Sequence, residues 1–373
     1  MTRDSKVVFL DRIDELGVAL FGERDNQALD QLLQTYKADV YHSYEQNVPL
    51  VGPTYALLKV TNRCNSGCSY CNHSIYSKSR PNLSDVSTES LKKVIGKVAE
   101  LGVRSVNLSG GEPLLRDDLP DLVSCIRDQY LLSILLTNGL ALAKRWEELG
   151  RAGLSYIILS LDSLDAERYQ QQRGAPFKQV WKGFEAALRM RDKYPPAAVH
   201  ITTVITKHNL VELPKFVQKM ASYDVSVQFS PYHHFDTRAP NPDTPQDSTA
   251  VRKVIDELIS MQKAGYPVAN SVAYLDHIPT FFERPQQLPE WYHCYAAYVG
   301  VFVDAELNLR PCWSWSLPIV GNLRQDKLKD VWYSEFFNQQ RAKVRKLECS
   351  RCWLLCTAEL SIRFMEWSKN ERE

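Results

Sequence analysis

The sequence predicts an α/β protein in which a partial (β/α)6 barrel of the TIM type is followed by a small cysteine-rich domain. Between residues 54 and 235, short apolar runs rich in β-branched residues alternate with longer amphipathic segments. This order is typical of a parallel sheet with helical crossovers. Beyond residue 290, five cysteines fall within one segment, which indicates a second unit with its own metal chemistry.

The barrel pattern predicts six strands separated by helices. The expected strands are Ala56–Thr61, Ser105–Ser109, Ser133–Thr137, Tyr156–Leu161, Val199–Ile205 and Val225–Phe229. The expected helices are Thr88–Leu101, Leu119–Gln129, Lys144–Ala152, Phe177–Arg191 and Val211–Ser222. Because the loops that follow the strands of such a barrel share one face, we expect the functional residues on those loops.

We expect four parts along the chain. They are a helical N-terminal extension (1–53, with a helical pattern at 26–36), the barrel (54–235), a linker with a bridging helix (236–290, helix 251–264) and the cysteine-rich domain with a hairpin, a helix and a C-terminal tail (291–373). The linker assignment depends on the Pro, Asp and Thr content of Asp236–Asp247 and on a second Pro-rich connection at Pro279–Pro289.

Composition excludes several classes of protein. The formal net charge of +1 provides no overall field that would attract nucleic acid or an anionic membrane surface, so we expect neither partner. No apolar run is long enough to span a bilayer, and Met1–Lys6 is polar without a following signal-peptide core, so we expect a cytoplasmic protein. In a long chain of this kind, the nine cysteines favour metal binding over disulfides.

The first cysteine group lies in a loop directly after the first predicted strand. Cys64, Cys68 and Cys71 place three thiols close enough to bind one centre. Structural zinc sites take four ligands and iron–sulfur clusters commonly take four cysteines, so three cysteines leave one coordination position open. An open position indicates chemistry, whereas a structural zinc knuckle is the alternative reading.

The CxxxCxxC spacing of this loop resembles the signature of the radical SAM enzyme superfamily. The resemblance implies a [4Fe–4S] cluster whose open iron binds the amino and carboxylate groups of S-adenosylmethionine. An electron transferred to it yields a 5′-deoxyadenosyl radical that abstracts hydrogen from a substrate. The resemblance also implies an electron donor of the flavodoxin or ferredoxin type.

Further segments resemble cofactor-binding motifs of that superfamily. The sequence Gly110-Gly111-Glu112-Pro113 is similar to the GGEP motif, which contacts the methionyl ammonium. The other expected cofactor contacts are Tyr70 by its backbone to adenine, Asn138 in a TNG segment, Ser160 and Asp162 to the ribose or methionyl part, and Arg173, Asn209 and Gln228. Each segment alone reads as an ordinary turn or helix cap, but their order along the chain supports the cofactor role. His233, after strand six, is a candidate for proton transfer.

The second cysteine group resembles the auxiliary-cluster extensions called SPASM and twitch. Cys294 and Cys312 bracket an alternating segment that predicts a hairpin, and Cys349-Ser350-Arg351-Cys352 is a ligand pair followed by Cys356. A full SPASM segment has seven cysteines and this chain has five, so the resemblance implies one auxiliary [4Fe–4S] cluster. Either Cys352 or Cys356 completes its ligands, and zinc held by four thiolates is the rival.

These features lead to three hypotheses of function. The first is a radical SAM enzyme that modifies a ribosomally synthesised peptide, with the leader recognised by a separate protein or by the first fifty residues. The second is a radical SAM dehydrogenase or epimerase acting on a sugar, aminocyclitol or nucleoside. The third, a non-catalytic iron–sulfur electron carrier, would not need the GGEP, TNG and Ser160–Asp162 segments around an open cluster.

Overall fold

A nine-stranded sheet forms the centre of the protein. The structure is a computed structural model and describes residues 26–71, 84–195, 197–233, 243–313 and 316–369. The strands are β1 (Tyr55–Thr61), β2 (Ser105–Gly110), β3 (Leu132–Thr137), β4 (Tyr156–Ser160), β5 (Ala198–Ile205), β6 (Ser226–Pro231), β7 (Gly300–Val303), β8 (Asn308–Arg310) and β9 (Gly321–Asn322). Their order is β6-β5-β4-β3-β2-β1-β7-β8-β9, so the sheet is an open, partial barrel with a C-terminal extension.

Helices connect the parallel strands and cover one face of the sheet. They are α1 (Asn26–Gln46), α2 (Thr88–Glu100), α3 (Leu119–Asp128), α4 (Leu142–Ala152), α5 (Ala166–Arg173), α6 (Phe177–Lys193), α7 (Leu213–Ala221), α8 (Ser248–Lys263), α9 (Val272–Glu283), α10 (Ala296–Val299), α11 (Leu328–Trp332), α12 (Glu335–Arg345) and α13 (Leu360–Lys369). No helix in the described ranges is both long and apolar enough to cross a membrane.

The structure confirms the six predicted barrel strands and the five predicted crossover helices, with ends that differ by a few residues. Strands β1 to β6 pair in parallel with their sequence neighbours, as the alternating pattern predicts. The hairpin between Cys294 and Cys312 is also present, as the antiparallel pair β7–β8. Residues 1–25 of the predicted extension, residues 234–235 at the end of the predicted barrel and residues 236–242 of the predicted linker lie outside the described residues.

Two helices differ from the sequence expectation. Helix α9 continues through Pro279, where we expected a Pro-rich connection to begin. Its N-cap Ser271 accepts a hydrogen bond from Tyr274, and burial of Leu275, Ile278 and Phe281 compensates for the donor that proline lacks. Helix α5 was not predicted because its sequence AERYQQQR has almost no apolar face. Asp165 caps its start and Gly174, in the left-handed conformation, ends it.

Strand residues alternate between two faces of the barrel sheet. One face packs against the helices in a continuous apolar core. The opposite, concave face carries a separate small apolar cluster formed by Ile134, Tyr156 and Ala198, against which Leu136 and Ile158 pack. In the described part of the chain, several side chains of this face stay partly exposed and can line a space above the sheet.

The cysteine-rich segment is joined directly to the edge of the barrel. Strand β7 pairs in parallel with β1, from Tyr55 opposite Gly300 to Leu58 opposite Val303. The Lys97 ammonium on α2 also donates to the carbonyl oxygens of Leu323 and Asp326, at 2.8 and 2.9 Å. The predicted domain boundaries stay predictions, but the two parts share one sheet and one apolar core.

Replacement of Trp332 by alanine is expected to destabilise the C-terminal part by about 3–5 kcal/mol. This indole is fully buried, lies 5.2 Å from the Phe337 ring and donates its N–H to the carbonyl of Val51. The neighbouring half-exposed Tyr333 is the matched control, and its alanine variant should change the free energy of unfolding much less. Chemical denaturation followed by circular dichroism measures both, and equal losses would contradict the packing argument.

Candidate active site

The loop that carries the first three cysteines follows β1 and rests on the C-terminal end of α5. Cys64, Cys68 and Cys71 form no disulfide and are partly exposed. The Gly67 N–H donates to the carbonyl of Arg173 at 3.0 Å, and the Ser69 N–H to that of Gln172 at 2.9 Å. The last carbonyls of a helix have no partner within it, so this loop satisfies them.

The GGEP segment lies beside the cysteine loop. Gly110 has φ +137°, and a Cβ there would lie 2.3 Å from the carbonyl oxygen of Thr61, so only glycine fits. The N–H groups of Gly111 and Glu112 donate to the carbonyls of Thr61 and Arg63, at 2.9 and 2.8 Å. These bonds hold the GGEP turn against the start of the cysteine loop.

The carboxylate of Glu112 connects two of the predicted motifs. It is 1 % exposed and accepts hydrogen bonds from the Thr137 hydroxyl at 2.7 Å, the Asn138 N–H at 2.7 Å and the Leu114 N–H at 3.0 Å. Burial raises its pKa, and these donors oppose the rise. The Asn138 amide in turn donates to the side chain of Asn65 in the cysteine loop, at 2.8 Å. The GGEP, TNG and cysteine segments therefore meet at one place.

The residues after β4 form a second group of contacts with the cysteine loop. Asp162 is fully buried and forms a two-pronged ion pair with Arg173, at 2.7 and 2.9 Å. It also accepts hydrogen bonds from the Tyr70 hydroxyl and from the N–H of Val204. The Asn209 amide group donates to the backbone carbonyls of Asp162 and Val204. These side chains hold the loops together, and their expected contacts with the cofactor stay predictions.

The concave face provides the wall of the site. Its partly exposed side chains on β1 to β6 are Lys59, Asn107, Ser109, Leu132, Leu136, Ile158, Ser160, Thr202, Val204, Ser226 and Gln228. Two of the predicted cofactor residues, Ser160 and Gln228, thus face the open space. His233 follows β6 and its ring lies 5.2 Å from that of Phe281. Its neighbour His234 lies outside the described residues.

Lys59 is the charged residue on this wall, and we did not single it out from the sequence. Its ammonium lies 4.2 Å from the centre of the Trp313 ring. Trp313 directly follows Cys312 in the sequence. Burial lowers the pKa of Lys59 to about 8. The available signal was a charged residue inside the otherwise apolar strand YALLKVT. Among the partly exposed positions of the six barrel strands, all of which are described, Lys59 is the one charged side chain.

The second cysteine group gathers beside β1. Cys294 and Cys312 are buried, whereas Cys349, Cys352 and Cys356 are partly exposed. Burial, with a smaller effect of the Cys352 charge, raises the pKa of both the Cys294 and the Cys356 thiol to about 12. The Tyr55 hydroxyl of β1 donates to the Cys356 carbonyl at 3.0 Å, within a π-helical turn. Buried thiols of this kind become thiolates when a metal replaces their protons.

Both cysteine groups fit iron–sulfur clusters in their donor chemistry. In the described part of the chain, no three histidine, cysteine, aspartate or glutamate side chains meet closely enough to hold a single metal ion. A four-iron cluster has a looser requirement because each of its cysteines binds a different iron atom. The first group offers three thiols and an open side, and the second offers five thiols around the hairpin.

Comparisons with known proteins agree with this site. The model of the radical SAM superfamily matches residues 58–220, and the model of the SPASM iron–sulfur cluster-binding domain matches residues 294–353. The second match decides between the two metals that the sequence left open, in favour of iron–sulfur. It includes Cys294, Cys312, Cys349 and Cys352, and ends before Cys356.

Relatives and solved structures share most of the chain. A probable GTP 3′,8-cyclase of Methanococcus maripaludis strain C5 is 32% identical over 285 residues, covering 74% of this chain and 86% of that relative. The structure of Streptococcus suis SuiB bound to precursor peptide SuiA matches with a TM-score of 0.64 and 18% identity, over 87% of this chain and 75% of SuiB.

A third match is native anSMEcpe with bound AdoMet and Cp18Cys peptide, with a TM-score of 0.60 and 18% identity, over 82% of this chain and 88% of that one. At such low identity, these two structures support the fold. The fold, the converging motifs and the two family models lead to one conclusion: this chain belongs to the radical SAM superfamily of enzymes, which use S-adenosylmethionine and a [4Fe–4S] cluster, and it carries a C-terminal SPASM-type iron–sulfur domain.

Proposed function

We propose that this enzyme abstracts hydrogen from a residue of a peptide substrate held on the concave face of the barrel. The observation that carries the proposal is the character of the wall. It combines the apolar side chains of Leu136, Ile158 and Val204 with neutral polar groups, and Lys59 is the one charged side chain among the partly exposed positions of β1 to β6. A wall of this kind suits an amino-acid side chain and peptide amides better than a group with several negative charges.

The similarity to SuiB and anSMEcpe supports the same proposal. Each of these folds matches more than four-fifths of this chain, and each was solved with a bound peptide. When bound, the first cluster and S-adenosylmethionine supply the radical that abstracts hydrogen. The chain itself would hold them with Cys64, Cys68 and Cys71 and with the GGEP segment.

Residues of the C-terminal part would hold the auxiliary cluster next to this wall. Cys294, Cys312, Cys349 and one of Cys352 and Cys356 are the proposed ligands. Lys59 and Trp313 lie where the barrel wall meets the cysteine hairpin, so the substrate would bind between the two metal centres. We assign His233 a proton-transfer role at the edge of this space.

Radical SAM enzymes need an electron donor, and we propose a flavodoxin or ferredoxin for this one. A peptide substrate also needs a means of recognition. A separate leader-binding protein or the N-terminal fifty residues would provide it, of which the structure describes the part from Asn26 onward. The chain has a formal net charge of +1, so shape and local contacts rather than a strong overall field would select these partners.

A nucleotide is the second candidate substrate, favoured by the names of the curated relatives. The probable GTP 3′,8-cyclase of Methanococcus maripaludis is more similar in sequence than either solved structure, at 32% identity. In this case, the ammonium of Lys59 would bind a phosphate group. Phosphate recognition usually needs several Arg or Lys side chains, which places the nucleotide second.

The substrate class is tested with the anaerobically reconstituted enzyme, S-adenosylmethionine and a reductant. The first probe is GTP. The second probe is a short precursor peptide encoded beside the gene. We expect the peptide to increase 5′-deoxyadenosine formation and to change in mass. Stimulation by GTP together with a new guanine-derived product, and no change in the peptide, would overturn the peptide proposal.

The variant Lys59→Gln separates the two candidates quantitatively. For a peptide substrate, we expect its KM to change less than about threefold because no phosphate contact is lost. For a nucleotide, loss of a charge-assisted hydrogen bond should raise KM about 10-fold to 100-fold. Nucleotide binding by the wild type should also weaken as the pH rises through about 8, where Lys59 loses its proton.

A further inference from the structure

We infer that the buried pair of Asp162 and Arg173 is a positioning device that presets the cysteine loop, residues 64–71, before its cluster is assembled. The inference concerns this chain's own residues and is independent of the substrate. It rests on the proposed role of Cys64, Cys68 and Cys71 as cluster ligands. It also gives Asp162, Arg173 and Tyr70 a role other than the direct cofactor contact that the motifs imply.

The backbone of the cysteine loop contacts the end of α5 directly. Two N–H groups, those of Gly67 and Ser69, donate to the last two carbonyls of α5, and the Ser66 hydroxyl donates to the Arg173 carbonyl at 2.7 Å. Gly174 has φ +60°, and a Cβ there would lie 3.1 Å from both the Cα and the carbonyl oxygen of Gly67. The loop therefore lies directly on the turn that ends α5.

The side chain of Tyr70, which lies between Cys68 and Cys71 in the sequence, contacts the same ion pair. Its hydroxyl donates to Asp162, and the Arg173 guanidinium lies 5.4 Å from the centre of its ring. The same ion pair thus holds the loop by a side chain and by the backbone of α5.

The Asp162 carboxylate already accepts as many hydrogen bonds as it can. One oxygen accepts from Arg173 and from the Val204 N–H, and the other accepts from Arg173 and from Tyr70. A carboxylate offers about four acceptor positions, and four donors already use them. A ribose hydroxyl would have to displace one of these donors, whereas a positioning role uses the contacts as they stand. The Asn209 side-chain amide also donates a hydrogen bond to the backbone carbonyl of Asp162, and this bond holds the residue that follows β4 in place.

Hydrogen–deuterium exchange of the metal-free protein tests the device without any cofactor. In the variants Tyr70→Phe and Arg173→Lys, the amides of Gly67 and Ser69 should exchange about fivefold to tenfold faster than in the wild type. Tyr70→Phe removes one hydroxyl from a half-buried side chain and keeps the aromatic ring, so this variant should fold even if Arg173→Lys does not. Arg363 on α13 forms an ion pair with Glu359, which directly precedes that helix. Arg363→Lys is the matched control and should leave the exchange rates of the Gly67 and Ser69 amides unchanged.

The loaded protein provides the second readout. After anaerobic reconstitution of variants that also carry Cys294→Ala and Cys312→Ala, Tyr70→Phe and Arg173→Lys should bind less iron at the first site at equal iron supply. Electron paramagnetic resonance then measures S-adenosylmethionine binding by the fraction of each variant that carries iron. The Kd of that fraction should change less than about threefold. A large rise in that Kd with unchanged amide exchange would overturn the inference, because it would make Arg173 a direct cofactor contact.

The outcomes also separate this inference from the proposed function. Faster amide exchange in the variants, combined with no 5′-deoxyadenosine from the loaded wild type, would support the positioning role of the ion pair and refute the radical chemistry. Normal exchange and normal iron loading in Tyr70→Phe and Arg173→Lys would remove the device and leave the radical chemistry intact.

Discussion

Replacement of Cys64, Cys68 and Cys71 by alanine is expected to abolish 5′-deoxyadenosine formation, with a loss greater than about 1,000-fold. The physical reason is that each thiolate would bind a separate iron, and no other described thiol of the barrel lies in this loop to replace them. Iron content should fall from about eight to about four atoms per chain, because the C-terminal cluster is held by a separate set of ligands.

Cys125→Ala is the matched control for this variant. Cys125 lies on α3, packs against the apolar core and belongs to neither cysteine group. Its alanine variant should keep the iron and the activity of the wild type. High-performance liquid chromatography measures 5′-deoxyadenosine, and a colorimetric assay measures iron. Persistent 5′-deoxyadenosine formation by the triple variant would refute the ligand assignment.

The double variant Cys294→Ala and Cys312→Ala should lose the auxiliary cluster and keep the first one. Iron should again fall by about half, but reductive cleavage of S-adenosylmethionine should continue. We expect modification of the substrate to fall at least about 100-fold, because the second metal centre and the hairpin beside Lys59 and Trp313 line the proposed binding space.

Single variants of the last two cysteines identify the fourth ligand of the auxiliary cluster. The SPASM model covers Cys352 and ends at residue 353, which favours Cys352 over Cys356. Cys352→Ala should therefore lose iron like the double variant, whereas Cys356→Ala should retain it. Equal retention of iron in both single variants, or in the double variant above, would show that these cysteines do not hold a cluster.

Much of the barrel followed from the sequence because its signals are local. The six strand patterns and the five amphipathic helices each lie within about five to seventeen consecutive residues, and apolar periodicity reports burial directly. Helix α5 was missed because it is stabilised by its caps and by its contacts with the cysteine loop instead of by an apolar face. Helix α9 was not predicted because Pro279 indicated a connection, and the burial of the helix becomes visible only in the fold.

The positions of the candidate site residues also followed from the chain order, because loops after parallel strands must share one edge. The partners of those residues did not. Tyr70 and Asp162 are 92 positions apart, and Tyr55 and Cys356 are 301 apart, so no local pattern joins them. Lys59 appeared in the sequence as a charge within an apolar strand, but its contact with Trp313 depends on the pairing of β1 with β7.

The sequence by itself determined the fold class, the two cysteine groups and the radical SAM resemblance, because these depend on periodicity and on spacing within short segments. Tertiary structure alone decided that Asp162 and Arg173 hold the cysteine loop, that Glu112 links two motifs, and that the concave wall carries one positive charge. The reason is physical: hydrogen bonds and burial depend on distances in space, which the order of residues sets only after every strand has found its neighbour.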